Sequence, residues 1–283
     1  MNKYTLNGTL YAPYQVNGAK WMHDMEHQQK GPKGGFLCDE MGLGKTIQII
    51  ATILSNPKPH TLIVVPKTIV TQWSIEIAKF APGLSILIYD GPERTRDIKD
   101  LEKVDIVLCP YSLVYNRTTL LHMVKWDRIV LDEAHEIRNR KSQTFKAVYR
   151  LKSDIRWIVT GTPVFNSMED FVSLCAFLGL SKGIVQAMTK DIKDIYILRR
   201  TKADNGNKLP YCHFENVELD MYPEELLIYE SQEFMREIVN TAISIGSKSM
   251  QILECLLRVR QTMTWPQLYL DGMAKKQGND RVI

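Results

Sequence analysis

The chain has 283 residues, of which 45% are hydrophobic, 36 are basic and 32 are acidic, giving a formal net charge of +4. This size and apolar content suffice for a buried core, whereas so small a positive charge is only weak support for a polyanionic partner. No apolar run approaches the ~18 residues of a membrane span, and the stretch from Met1 to Lys20 lacks the apolar block of a secretion signal. Composition therefore argues against membrane-spanning and secreted classes and predicts no membrane partner.

The cysteines are widely scattered, with no two close enough to suggest a zinc knuckle or a redox pair. A reducing compartment is therefore expected. We predict an intracellular protein, which would be nuclear in a eukaryote and cytoplasmic in a prokaryote or a viral factory.

Short apolar runs rich in branched residues alternate with amphipathic stretches of helix length between Gly35 and Thr160. Continuous apolarity is typical of strands covered on both faces, and their alternation with helices predicts a parallel sheet with helical crossovers. The predicted strands are residues 36–38, 61–65, 86–89, 106–109, 129–131 and 157–159. We therefore predict a doubly wound α/β fold that binds its ligand beyond the carboxyl ends of the strands.

The character of the sequence changes after Leu180, where strand-like runs stop and a basic stretch begins. This change predicts a sheet domain at residues 1–180, a basic linker at 181–222 and a helical extension at 223–283. Apolar residues recur at helical spacing in 223–245 and 247–262, and Pro223 suits a first helical turn. The extension is expected to lead toward a second lobe that lies outside this chain.

A glycine-rich loop follows the first predicted strand and precedes a helical stretch from Ile47 to Leu54. Such a loop presents backbone amides and a helix amino terminus to phosphates, so that Lys45 is expected to reach the outer phosphates and Thr46 to bind magnesium. Asp39 stands where the strict phosphate-loop pattern has a glycine, so the match is to the shorter Gly-x-Gly-Lys-Thr form. The loop residues predicted to bind ATP are Asp39, Met41, Gly42, Leu43, Gly44, Lys45 and Thr46.

Two adjacent carboxylates, Asp132 and Glu133, come directly after another predicted strand. This pair suits a division of labour in which Asp132 holds Mg²⁺ through water and Glu133 orients and deprotonates the attacking water. His135 lacks the partner spacing of a zinc site, and a role in coupling the nucleotide and polymer sites is favoured instead. The predicted catalytic residues are Lys45, Asp132, Glu133 and His135.

Successive segments of the chain resemble the motifs of SWI/SNF-type helicase-like ATPases of superfamily two and occur in that family's order. The matching segments are residues 39–48, 63–73, 108–113, 132–139, 156–166 and 198–202. The resemblance extends over roughly residues 10–262. It implies a RecA-like phosphate-loop NTPase fold and a DNA-stimulated ATPase, using ATP and Mg²⁺, that tracks along double-stranded DNA and shifts or strips DNA-bound proteins.

The same resemblance implies roles for residues outside the phosphate loop. Gln15 is expected to read adenine, and the turn after the strand ending at Val159 is expected to sense the acidic pair. The residues expected to lie toward the DNA backbone are Lys67, Gln72, Trp73, Tyr111, Ser112 and Thr162. For Trp73 the competing interpretation is burial in the core, because a tryptophan on an amphipathic helix is usually a core residue.

Motors of this family bind ATP between two RecA-like lobes, and the second lobe supplies an arginine to the transferring phosphate. No second set of strands is apparent in this sequence. We therefore predict a first lobe that hydrolyses ATP feebly by itself and needs a partner lobe in cis or in trans. A strand-separating RNA or DNA helicase, a non-catalytic ATP- or DNA-binding regulatory module and the motor subunit of a restriction system remain as alternatives.

Overall fold

The structure is a computed structural model. It describes residues 3–10, 13–115, 119–161, 167–204, 213–218, 220 and 222–230, together with residues 257, 260, 261, 263 and 267. The chain divides into two compact units, Met1–Leu209 and Pro210–Ile283. In the second unit residues 223–230 are helical, consistent with Pro223 in a first turn, whereas most of the two helices predicted there lies outside the described residues.

The first unit is built around one sheet of seven strands in the order β3-β4-β2-β5-β6-β1-β7. The strands are β1 (Lys33–Leu37), β2 (Thr61–Val65), β3 (Ile86–Ile88), β4 (Ile106–Pro110), β5 (Lys125–Asp132), β6 (Lys152–Val159) and β7 (Ile197–Leu198). Every neighbouring pair is parallel. The predicted parallel α/β fold is therefore confirmed.

Helices lie between successive strands, because parallel neighbours require long crossovers, and one further helix precedes β1. They are α1 (Tyr14–His27), α2 (Lys45–Ser55), α3 (Val70–Phe80), α4 (Ile98–Glu102), α5 (Tyr111–Val114), α6 (Gln143–Tyr149), α7 (Met168–Phe177), α8 (Lys182–Ala187) and α9 (Thr189–Tyr196). Serine side chains cap α6, α7 and α8 by accepting a hydrogen bond from a backbone N–H of the first turn. Among the described residues, no helix has the length and apolarity needed to cross a bilayer.

The core lies on both faces of the sheet. Every residue of β2 and of β4 is buried, which is the pattern expected of central strands covered by helices on each side. Trp126 and Trp157 are fully buried, and Phe36 packs against Phe171 with ring centroids 6.2 Å apart. This packing holds the carboxyl ends of the strands in a fixed arrangement, and those ends carry the candidate site.

The sheet continues beyond the boundary predicted at residue 180, and that boundary is corrected here. β7 pairs in parallel with β1, placing Ile197 beside Phe36 and Leu198 beside Leu37. The helices α7, α8 and α9 lie between β6 and β7, so residues 182–198 belong to the sheet unit and not to a linker. A strand of two residues is too short to show a periodic pattern of apolar residues, and the basic residues that follow it made β7 harder to recognise from the sequence.

A buried ion pair fixes α1 to the sheet. Arg128 donates from Nε to Oε1 of Glu26 at 2.6 Å and from Nη2 to Oε2 at 2.5 Å, with side chains that are 1% and 0% exposed. The indole N–H of Trp157 also donates to Glu26, at 2.9 Å, and the side-chain amide of Asn56 does so at 2.6 Å. Buried charges are tolerated only when paired and hydrogen-bonded in this way.

Candidate active site

The phosphate loop connects β1 to the first turn of α2. Gly42 and Gly44 have φ angles of 88° and 76°, a region in which side chains other than glycine are strained. A Cβ on Gly44 would also lie 2.4 Å from Nε2 of Gln15, so there is no room for one. Lys45 opens α2 and donates from Nζ to the backbone oxygen of Asp39 at 2.9 Å. The loop is thus closed into a compact cradle at the helix amino terminus, the arrangement that favours phosphate binding.

Gln15 reaches this loop from α1. Its side chain is 3% exposed, and its Nε2 donates to the backbone oxygen of Leu43 at 3.1 Å. The residue expected to read adenine therefore lies directly against the predicted phosphate cradle.

Asp39, at the start of the phosphate loop, is fixed by hydrogen bonds to its side chain. Its carboxylate is fully buried and accepts hydrogen bonds from Nε of Arg200 at 2.9 Å, from Nη2 of Arg200, and from Nε2 of Gln48 at 3.1 Å. The carboxylate is thus enclosed by its partners, so the prediction that Asp39 binds ATP falls to its backbone atoms. Its backbone oxygen, which holds Lys45, still faces the loop.

The acidic pair lies at the same edge of the sheet. Asp132 ends β5, Thr160 follows β6, and the phosphate loop follows β1, in three strands that are neighbours in the sheet. The Asp132 carboxylate accepts from Nε1 of Trp73 at 2.8 Å and from the backbone N–H of Glu133 at 2.9 Å. Burial raises the pKa of Asp132 above its ordinary value, while both hydrogen bonds and the nearby Lys45 ammonium oppose that rise.

Glu133 is held in a strained backbone conformation. Its φ and ψ are 48° and 49°, and it is the one non-glycine residue with positive φ among the described residues. Such a conformation costs about 1–3 kcal/mol and concentrates at functional sites. Its carboxylate is partly exposed, with Oε2 3.3 Å from Nδ1 of His135. The exposed part of the Glu133 carboxylate can therefore contact a water molecule.

The turn after β6 lies between the loop and the acidic pair. The backbone N–H of Thr160 donates to the oxygen of Leu37 at 3.2 Å. A Cβ on Gly161 would lie 2.7 Å from Cγ of Met41 and 3.3 Å from Nζ of Lys45. The turn therefore lies close to the phosphate loop, and its role in sensing the acidic pair stays a prediction, because Thr162 and residues 163–166 lie outside the described part of the chain.

The residues expected to lie toward DNA separate into two groups. Lys67, Gln72 and Ser112 are exposed. Trp73 and Tyr111 are instead buried, at 2% and 5% exposed, which agrees with the core interpretation of Trp73 and corrects the expectation that the Tyr111 side chain faces a DNA backbone.

Helical geometry and hydrogen bonding explain the two buried side chains. Trp73 shares the inner face of α3 with Val70 and Ile77, which are also buried. The Tyr111 hydroxyl donates to the backbone oxygen of Asp132 at 2.8 Å. Burial raises the pKa of Tyr111 well above its ordinary value, so this hydroxyl keeps its proton.

Two basic residues of the segment after β7 were not assigned to the site from the sequence. Arg200 encloses Asp39 and also donates to the backbone oxygen of Tyr14 at the start of α1. The backbone N–H of Lys202 donates to Oε2 of Glu40 at 2.7 Å, and its Nζ lies 3.6 Å from the position of a Cβ on Gly42. Their nearness to the loop depends on the pairing of β7 with β1, which the sequence did not reveal.

Comparison with known proteins agrees with this geometry. The profile of the SNF2-related domain matches residues 14–186. The chain is 32% identical to the DNA repair protein rad8 of Schizosaccharomyces pombe, over 83% of this chain and 26% of that protein. It is 28% identical to the helicase SWR1 of Eremothecium gossypii, over 93% of this chain and 21% of that protein.

Comparison with solved structures also gives a match to the SNF2 family. The chain resembles the SWI2/SNF2 ATPase core of Sulfolobus solfataricus in complex with dsDNA, with a TM-score of 0.63 and 31% identity. The match covers 93% of this chain and 60% of that one. This chain therefore spans about a quarter or less of the two curated relatives and under two thirds of the solved core.

Proposed function

The chain belongs to the SNF2-related family, and from this membership we propose that it is the ATP-binding lobe of a DNA-dependent ATPase. The whole enzyme would translocate on double-stranded DNA and so remodel or displace DNA-bound proteins. The observation that carries the proposal is that Lys45, Asp132 and Glu133 are brought to one edge of the sheet, beyond the ends of β1 and β5, which lie on either side of β6.

The donor set fits a magnesium nucleotide. Mg²⁺ prefers hard oxygen ligands and is usually held by one or two protein oxygens together with substrate phosphates and waters. Thr46 offers a hydroxyl and Asp132 a carboxylate, whereas no cluster of three or more histidine, cysteine or acidic side chains suited to a metal occurs among the described residues. When bound, Mg²⁺ would neutralise charge on the transferring phosphate.

The residues of this chain have separable roles in that reaction. Lys45 is positioned to exchange its hydrogen bond with the Asp39 carbonyl for one with an outer phosphate. Gln15 is positioned to orient the base from α1. Glu133 is the candidate general base, because its carboxylate is partly exposed and directly follows Asp132 at the end of β5.

The exposed residues Lys67, Gln72 and Ser112 are proposed to contact the DNA backbone. Lys67 and Gln72 follow the carboxyl end of β2, which lies beside β5, and Ser112 follows the carboxyl end of β4, which lies on the other side of β2. Contacts of lysine, amide and hydroxyl groups with phosphate fix register without reading sequence. The solved relative bound to dsDNA supports this assignment.

A second RecA-like lobe is proposed as the partner that completes the ATP site. The relatives are much longer than this chain, which is consistent with further domains in the whole enzyme. Without a stabilising arginine from that lobe, hydrolysis is expected to be slower by about a thousandfold or more.

Nucleotide binding tests the proposal directly. A fluorescent ATP analogue is titrated with the chain in the presence of Mg²⁺, and Lys45→Ala is expected to abolish binding. Lys33→Ala is the matched control, because Lys33 is an exposed lysine at the opposite end of β1. Equal binding by wild type and Lys45→Ala would refute the proposed site.

A second measurement tests the substrate polymer. With a second lobe joined to the chain, duplex DNA is expected to stimulate ATP hydrolysis, and the motor is not expected to separate strands. Stimulation by single-stranded RNA but not by duplex DNA would favour the strand-separating helicase. No turnover at all in the joined enzyme would favour a non-catalytic module.

A further inference from the structure

Asp132 is held by two buried aromatic residues from different parts of the chain. The indole N–H of Trp73, on α3, donates to Oδ2 of Asp132 at 2.8 Å. The hydroxyl of Tyr111, at the start of α5, donates to the backbone oxygen of the same residue, also at 2.8 Å. These contacts involve both the side chain and the main chain of Asp132, so they define its orientation from two sides.

Each aromatic residue has an exposed neighbour on the proposed DNA-facing surface. Gln72 precedes Trp73 and is exposed, and Ser112 follows Tyr111 and is exposed. Successive residues of a helix point in different directions, so one short segment can present one side chain to solvent and the next to the core. The two segments therefore reach from the surface to Asp132.

The hydrogen bond from Trp73 leaves Oδ1 and Oδ2 of Asp132 with different surroundings. Oδ1 accepts from the backbone N–H of Glu133 at 2.9 Å, and Oδ2 accepts from the indole. A carboxylate held by two N–H donors has little freedom to rotate, and metal affinity depends strongly on such outer contacts to a ligand. The indole is thus suited to fix the direction in which Asp132 offers its remaining lone pairs.

We propose that Trp73 and Tyr111 are positioning residues for the magnesium nucleotide, acting through Asp132, and that they connect this site to the DNA-facing surface. The inference rests on the proposed function. It adds a role for two side chains that do not themselves touch the nucleotide.

The test compares two buried tryptophans. Trp73→Phe removes the indole N–H that Asp132 accepts, and Trp126→Phe removes an indole N–H that donates to the Leu121 backbone oxygen at 3.0 Å. Both tryptophans are almost fully buried, at 2% and 0% exposed, so each change removes one buried indole N–H donor. The Mg²⁺ concentration that gives half-maximal binding of a fluorescent ATP analogue is measured for each.

Trp73→Phe is expected to raise that Mg²⁺ concentration about tenfold. Trp126→Phe is expected to leave it at the wild-type value. Equal values for all three proteins, or an equal rise in both variants, would overturn the proposal. If Trp73→Phe does not fold, Tyr111→Phe replaces it, with an expected rise of about threefold, and no rise would overturn the proposal.

A spectroscopic readout keeps this inference separate from the proposed function. In the ¹⁵N-labelled chain without nucleotide, Asp132→Asn is expected to move the indole N–H resonance of Trp73. Asp154→Asn, at an exposed carboxylate in β6, is expected to leave it in place. An unmoved resonance in Asp132→Asn would exclude the link even where Lys45→Ala abolishes nucleotide binding. If the resonance moves but Lys45→Ala retains binding, the contact between Trp73 and Asp132 stands while the proposed nucleotide site fails.

Discussion

Arg200 binds both carboxylate oxygens of Asp39, joining the segment after the last strand to the first residue of the phosphate loop. The bidentate geometry is the strongest form of ion pair available to a carboxylate. Asp39 is fully buried, so its charge depends on the guanidinium for compensation. The loop that is proposed to bind ATP therefore depends on a residue far away in the sequence.

Arg200→Ala is expected to lower the free energy of unfolding by about 3 kcal/mol, because it leaves a buried carboxylate without its partner. Nucleotide affinity is expected to fall as well, since the loop loses its support. Arg199→Ala is the control, because the neighbouring arginine is exposed. Urea denaturation and titration with a fluorescent ATP analogue measure the two effects, and equal losses in both variants would contradict this role.

Arg128→Met is expected to cost about 3–5 kcal/mol in the free energy of unfolding, because Glu26 would then be buried and unpaired. Replacing both residues, with Glu26→Leu added, is expected to cost less than Arg128→Met alone. The exposed pair Lys125 and Asp154, 3.7 Å apart between β5 and β6, provides the control, and Lys125→Ala should cause no measurable change. A double variant that is less stable than Arg128→Met would contradict the interpretation.

Glu133→Gln is expected to reduce ATP hydrolysis by about a hundredfold or more when the chain is joined to a second lobe, because the amide cannot accept a proton. Nucleotide affinity should remain at the wild-type value. Glu136→Gln, at an exposed carboxylate in the following turn, should retain hydrolysis. Steady-state kinetics check both variants, and loss of nucleotide binding in Glu133→Gln would argue against a role confined to proton transfer.

Asp105 is expected to make stability depend on pH in the acidic range. Burial opposes ionisation, yet hydrogen bonds from Lys3 at 2.7 Å and from Ser85 hold the pKa of Asp105 below its ordinary value. A depressed pKa in the folded state adds stability that is present above the unfolded pKa of about 4 and is lost as pH falls through the lower folded pKa.

The measurement for Asp105 is the difference in the free energy of unfolding between wild type and Asp105→Asn. This difference is expected to be constant near neutral pH and to shrink below about pH 4. Asp154→Asn, at an exposed carboxylate, serves as the control and should give a much smaller change with pH. A difference for Asp105→Asn that is independent of pH would contradict the assignment.

The sequence predicted the central part of the sheet well because those strands are long, continuous and buried. The bounds predicted for β2, residues 61–65, agree with the structure. β5 and β6 begin several residues earlier than predicted, at Lys125 and Lys152, because their first residues alternate in burial and carry charges. β7 was missed because two residues give no period to detect.

At the site, the sequence could identify residue types but not the direction of each side chain. Gln72 and Trp73 are adjacent in one motif, yet one is exposed and the other binds Asp132. The distinction depends on which face of α3 packs on the sheet. Likewise, the enclosure of Asp39 by Arg200 depends on the pairing of β7 with β1, a contact between distant parts of the chain that local patterns do not report.

The helix α1 is held at both ends by side-chain hydrogen bonds, which set the distance between its two contact residues. Gln15, near its start, meets the phosphate loop, and Glu26, near its end, meets Arg128 in the sheet. The two residues are about three turns apart and so lie on one face. Inserting or deleting a single residue between them would rotate one by about 100° relative to the other. Natural variants of this chain should therefore substitute residues in α1 freely on its outer face while conserving the count between Gln15 and Glu26.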